Sequence, residues 1–374
     1  MVVGRVGKYM SFIIVFRVDA SQEMGTGHVM RCLALAYALK NEGAVCHFIC
    51  REHKGNLIEH IKNEGFFIHA LPVSPQENYI SKINNLTHSD WLGANQAEDA
   101  EQCSFILKNL DVSWMIVDHY ALDENWERTL AIYYKKLMVI DDLADRKHLC
   151  NLLLDQNWFG LSTEIRYEKL VRDETVLLLG PKYALLKPEY ESIRKVMPLR
   201  DGSVSRVLIF LGGSDPSNET KKVLEALLDF NFLNVDVVVG ANHPDPIGIT
   251  KIVEARALTS LYMNIPHLAD LMVRADLMIG AGGSTTWERM CLGLPSIVIS
   301  VADNQTPINI SLMNEGYINY IGSKNEVSSS LIKQSISNAL ANPRKLQRQS
   351  ELMKQFVDGE GIKHISNYLC KFRG

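Results

Sequence analysis

The residues Gly25-Thr26-Gly27-His28-Val29-Met30-Arg31-Cys32 place an imidazole among glycines, a cation and a thiol. They follow the apolar run Phe12-Ile13-Ile14-Val15-Phe16 and open a helically spaced one: Val29, Cys32, Leu33, Leu35, Ala36, Leu39. A strand, a glycine turn and a helix then put His28 at a helix N-terminus. Glycine allows the tight turn and a close approach of backbone to ligand. The free N–H groups of the first turn and the helix dipole favour an anion there. The same positive end disfavours imidazolium, so a neutral His28 is positioned to take a proton. The plainer alternative is a capping or buried histidine; the glycines and the position favour chemistry. The loop is not the dinucleotide fingerprint, because Met30 stands where a third glycine is required.

Other polar residues end strand-like runs. Ile116-Val117 leads into Asp118-His119-Tyr120, Val139-Ile140 into Asp141-Asp142, and Leu153-Leu154 into Asp155-Gln156-Asn157. Each could simply cap a helix, but several such ends converging on one sheet edge point to a ligand crevice. The second half offers Leu211-Gly212-Gly213-Ser214-Asp215, a backbone nest suited to a diphosphate. It also offers Gly280-Ala281-Gly282-Gly283-Ser284-Thr285-Thr286-Trp287-Glu288. There Gly283 lets the chain approach a phosphate, and the Ser284 and Thr285 hydroxyls donate to it. Glu288 falls one turn later and suits the paired hydroxyls of a ribose; its alternative is a capping box with Thr285. Gln305, after the run Pro295–Val301, could reach a sugar, although Asp303 or Asn304 could do no more than cap a helix from Thr306.

These loops need a scaffold. Strand-like runs cover 12–18, 44–50, 66–71, 113–118, 136–141, 151–155 and 175–179, then 205–211, 235–239, 251–255, 276–280, 295–301 and 317–321. Most lack polar alternation, as strands buried on both faces do. Helical patterns fill 28–41, 54–64, 95–109, 123–134, 217–229, 266–274, 284–292, 306–315, 329–341 and 343–357. The order predicts an α/β protein of two doubly wound parallel sheets. Pro188, Pro198 and the Arg200-Asp201-Gly202-Ser203 turn mark a boundary, giving domains 1–198 and 199–374. Two such domains facing each other would make the cleft between them the default ligand site.

The 374 residues carry a net charge of −4 with both signs interspersed, and no basic stripe suited to nucleic acid or an anionic membrane surface. No apolar run approaches a membrane span of about 20 residues, and the short run at Phe12–Phe16 argues against a secretory leader. Seven cysteines without a CxxC pair read as reduced thiols in a cytoplasmic protein. No metal-ligand spacing appears, and no cofactor is expected. The first nine residues carry no pattern, so Met10 is a candidate start.

Taken together, GTGHVMRC, VDHY, LLGPKYALL at 178–186, FLGGSDPSN at 210–218 and GAGGSTTWERMCLGLPSI at 280–297 resemble UDP-2,4-diacetamido-2,4,6-trideoxy-β-L-altropyranose hydrolases of bacterial pseudaminic acid biosynthesis. The resemblance runs from about Phe16 to the C-terminus. It implies the two-domain GT-B fold, Rossmann-like in each half, also found in the glycosyltransferase that makes lipid II. It implies release of UDP by water attacking the anomeric carbon with inversion, without a metal. The essential histidine of the family matches His28 and a functional tyrosine matches Tyr120. The UDP site matches the Gly212–Ser214 and Gly282–Glu288 regions, with Gly213 and Ser214 at the diphosphate. Gly27, Asp19 and Arg31 are further candidates for sugar or phosphate contacts. A glycosyltransferase of the same fold, a nucleotide-sugar 2-epimerase and a non-catalytic nucleotide-sugar sensor remain as rivals. Oligomeric state is left open.

Overall fold

A computed structural model describes residues 12–74, 86, 88–265 and 267–372; Met10 lies outside them. The chain forms two compact units. The first comprises residues up to Asp155, Tyr167–Leu178 and those from Lys363 on; the second comprises Gln156–Arg166 and Leu179–Ile362. The Pro188–Ser203 stretch, expected as a linker, lies within the second unit and contains the helix Pro188–Val196. Pro188 occupies the first helical turn, where its missing N–H costs nothing.

In the first unit, β1 (Ile13–Val18), β2 (Val45–Arg51), β3 (Phe67–Leu71), β4 (Val112–Asp118), β5 (Tyr134–Ile140), β6 (Leu152–Asp155) and β7 (Val176–Leu179) make one sheet in the order β3-β2-β1-β4-β5-β6-β7. β4 is buried along its whole length and β1 from Ile14 onward. Their apolar runs are explained by helices covering both faces. The chain steps from β1 outward to β2 and β3, then returns to place β4 on the other side of β1, in parallel register Val18↔Asp118. Where the winding reverses, the connections leave the strand ends in opposite directions and open a crevice.

The second unit repeats this winding. β8 (Arg206–Phe210), β9 (Asn234–Val239), β10 (Thr259–Met263), β11 (Leu277–Ala281), β12 (Ser296–Ser300) and β13 (Asn319–Ser323) lie in the order β10-β9-β8-β11-β12-β13. Its reversal falls between β8 and β11, paired in parallel at Ile279↔Ile209. One face buries Val207, Ile209, Leu277 and Ile297; the other buries Leu208, Met278, Trp287 and Val298.

The expected strand at 251–255 is instead the end of the helix Pro246–Ala255. Asp245 caps that helix by accepting from the Gly248 amide at 2.9 Å, so its Ile-Val-Glu-Ala tail continues a helix already begun. The true edge strand, β10, is only half-buried and lacks the continuous apolar run that marks the inner strands. The helix Gly361–Cys370 was also unforeseen. Six cysteines, Cys32, Cys46, Cys50, Cys103, Cys150 and Cys291, are buried thiols. Among the described residues no helix is long and apolar enough to cross a membrane.

Candidate functional site

At the β1/β4 reversal, Gly25 turns the chain with φ of 74°, and its amide bonds back to the Ser21 carbonyl. Gly27 opens the helix Gly27–Asn41, and Thr26 makes no side-chain cap. His28 therefore sits in the first turn as expected. What holds it is Asp118 at the end of β4, whose Oδ1 lies 2.6 Å from His28 Nδ1. Arg31, one turn further on, grips the same carboxylate with two bonds of 2.6 Å, Nε to Oδ2 and Nη2 to Oδ1. Burial pushes the Asp118 carboxyl up, but the Arg31 charge and then His28 overcome this and leave it well below the usual range. An ionised carboxylate only accepts, so His28 Nδ1 is the donor and, in the neutral ring, the lone pair lies on Nε2. The tautomer is thus set by Asp118 rather than by the helix dipole alone.

The Tyr120 and His28 rings pack edge to face, with centroids 4.7 Å apart. Its hydroxyl donates to Asp142 Oδ1 at 2.5 Å, and Asp142 also accepts from Arg31 Nη1 at 3.2 Å. Burial and then the Asp142 charge push the Tyr120 phenol well above its ordinary value, so it stays a donor. Trp91 and His88 pack on the Tyr120 ring. Asp19 is 1% exposed and does not join this group. Its Oδ1 accepts from the Arg51 amide at 2.6 Å and meets Arg17 at 2.7 Å; Oδ2 lies 3.2 Å from His119 Nε2. Oδ1 is hydrogen-bonded, while Oδ2 has the ion-pair contact with His119 and no hydrogen-bond partner among the described residues, so the buried Asp19 braces the strand ends.

The β8/β11 reversal is made differently. Gly212 has φ of 106°, and at neither Gly212 nor Gly213 would a Cβ meet any atom within 4 Å. Asp215 turns away to cap the next helix, accepting from the Glu219 and Thr220 amides at 2.9 and 2.8 Å. Gly240, at the end of β9, is pressed so closely on Gly213 that a side chain would strike its carbonyl. Gly282 is likewise filled by Asn309, and Gly283 faces Gln305 Nε2. Gln305 Oε1 accepts from the Val301 amide at 3.0 Å, which aims the amide group and leaves Nε2 as a donor. Ser284 is exposed and Ser214 and Thr285 half-buried.

The capping-box alternative for Glu288 does not form, since the helix Thr285–Cys291 has no side-chain cap. Glu288 instead bonds the Tyr190 hydroxyl. Burial raises its carboxyl to about 7, against the pull of Tyr190 and the Lys187 charge. Sequence reasoning missed Tyr190, which lay in the supposed linker, and the specific role of Asp118. Among the described residues no three His, Cys, Asp or Glu side chains group as metal ligands would.

No family model matches the chain. It is 28% identical over 297 residues to an uncharacterised protein of Methanocaldococcus jannaschii, covering 76% of this chain but 55% of that one, so it spans about half that relative's length. It is 25% identical over 360 residues to the spore coat polysaccharide biosynthesis protein SpsG of Bacillus subtilis, covering 94% and 96%. It is 22% identical over 305 residues to the UDP-2,4-diacetamido-2,4,6-trideoxy-β-L-altropyranose hydrolase of Campylobacter jejuni, covering 81% and 97%. Among solved structures it resembles LpCGTa in complex with UDP (TM-score 0.68, 12% identity, 97% and 99% covered) and MurG of Acinetobacter baumannii (TM-score 0.62, 14% identity, 96% and 99% covered). The fold is GT-B. At these identities the structural likeness speaks for the fold alone.

Proposed function

We propose that the chain is a UDP-sugar enzyme, and specifically a hydrolase of UDP-2,4-diacetamido-2,4,6-trideoxy-β-L-altropyranose. The observation that carries this is the His28–Asp118 pair: a 2.6 Å bond to an ionised carboxylate directs the imidazole to act as a base through Nε2. The distant similarity to a hydrolase of that sugar nucleotide supports the substrate. In the proposed reaction, water gives a proton to His28 Nε2 while its oxygen bonds the anomeric carbon. The bond from that carbon to the diphosphate oxygen breaks, UDP leaves with the electron pair, and the configuration inverts. A positioned base of this kind contributes about 10²–10⁴-fold.

The second unit would hold UDP: Gly213, Ser214, Gly283, Ser284 and Thr285 around the diphosphate, Glu288 on the ribose, and the Gln305 amide donating to the diphosphate or sugar. Fixed donors of this sort stabilise charge as it grows on the leaving group. In the first unit, Gly27 leaves room beside the base, Arg31 locks Asp118, and Tyr120 steadies both His28 and the Arg31–Asp142 pair. A cytoplasmic location, where nucleotide sugars are made, belongs to the same proposal.

Incubating the protein with the sugar nucleotide in water, and following UDP and the first-formed anomer by NMR, tests the reading. Prompt UDP release with inversion supports hydrolysis. UDP release only when an acceptor is added identifies a glycosyltransferase, a product altered at C2 an epimerase, and tight binding without turnover a sensor.

A further inference from the structure

The arginines around the first unit's reversal are neutralised: Arg17 and Arg51 share Asp99, and Arg31 holds Asp118. Arg289, on the helix Thr285–Cys291, is built otherwise. It is 0% exposed. Nη1 donates to the Ala281 carbonyl and Nη2 to Thr286 Oγ1, each at 2.9 Å. Its buried Nε has no hydrogen-bond partner among the described residues. Glu288 attracts it, but burial holds that carboxyl toward its neutral form. Burial also pulls the guanidinium down to about 9, which leaves it charged at neutral pH. A buried cation that hydrogen-bonds only neutral groups among the described residues is a cost to folding. This one lies directly behind the turn proposed to bind phosphate: a Cβ on Gly280 would come within 3.6 Å of Nη1.

We infer that Arg289 is a positioning residue whose buried charge attracts a diphosphate seated on the Gly282–Thr285 turn while its bond to Ala281 holds that turn in shape. The inference rests on the UDP reading of the same loop and adds the source of its charge selectivity. In a low-dielectric surrounding a charge acts strongly over several ångströms without contact. An anion on the turn supplies what the folded protein lacks, so binding strengthens with ligand charge.

The test compares the full chain with Arg289→Met, Arg289→Gln and Arg289→Lys, using calorimetry and thermal melts with uridine, UMP, UDP and inorganic pyrophosphate. The Met and Gln variants are expected to lose about tenfold or more in affinity for UDP and pyrophosphate, less for UMP and none for uridine. Arg289→Lys keeps most of the affinity. The Gln variant, which retains a donor for Ala281 should Met fail to fold, melts no lower than wild type without ligand, yet shows a smaller rise with UDP. A variant that melts lower alone and weakens all four ligands equally marks a merely structural arginine and overturns the inference. If wild type binds pyrophosphate but not UDP, and Arg289→Gln loses it, the inference stands and the nucleotide reading falls. If wild type binds neither anion, both fall.

Discussion

The β1/β4 and β8/β11 reversals have the same winding and opposite construction. The first is filled with charge that is already paired: Asp118 takes three bonds from His28 and Arg31, and Asp142 ties Arg31 to Tyr120. The second is made of backbone, with Gly212 and Gly213 facing open space. Its buried cation, Arg289, hydrogen-bonds a carbonyl and a hydroxyl. Paired charge fixes the direction and tautomer of one side chain, which a proton transfer needs. Open backbone with a buried cation behind it leaves bonding capacity of the kind an anion would use. On the proposed reading one topology would support two chemistries, because the winding sets only where loops gather and the side chains decide what the gathering does.

Removing the base separates the two most sharply. His28→Ala is expected to cost about 10²–10⁴-fold in UDP release while UDP binding stays near wild type. Asp118→Asn, which can donate and so favours the wrong tautomer, is expected to approach the same loss. Single-turnover rates and calorimetry check both, and weakened UDP binding in His28→Ala would blur the division. On the other side, Gly240→Ala forces the Gly213 backbone out of place. It should weaken UDP binding by about tenfold or more with a smaller effect on the rate at saturation. Equilibrium titration followed by kcat measurement decides.

The mildest effect concerns Glu288, whose folded carboxyl is raised to about 7. The folded protein holds this proton where the unfolded chain has lost it. Glu288 therefore lowers stability as pH rises from about 4.5 to about 7. A ribose diol donates to the ionised form, so UDP affinity should rise with pH through about 7. In Glu288→Gln both pH dependences should flatten; an unchanged binding profile would remove Glu288 from the ribose.

The winding was legible because inner strands such as Val112–Asp118 and Ser296–Ser300 carry the apolar runs Trp114–Val117 and Ile297–Ile299, with helical patterns between the strands. The edge strand Thr259–Met263 was not, since half-burial leaves no such run. His28 was legible from its glycines, but its partner was not: Asp118 is 90 residues away, and only the parallel pairing of β1 with β4 brings the two together. Glu288 read as a ribose ligand with a capping box as its alternative, and nothing in local order pairs it with Tyr190, which fell in the expected boundary stretch.

The amino-acid sequence by itself determined two doubly wound sheets, the glycine turns at their reversals and the kinds of side chain beside them, because these follow from local periodicity and backbone freedom. Which charges are paired was decided only by tertiary structure. Asp118 pairs with Arg31 and His28, Asp19 with Arg17, and Arg289 is buried with its hydrogen bonds on neutral groups. Electrostatics depends on distance and burial between residues far apart in the chain, and neither is written in local order.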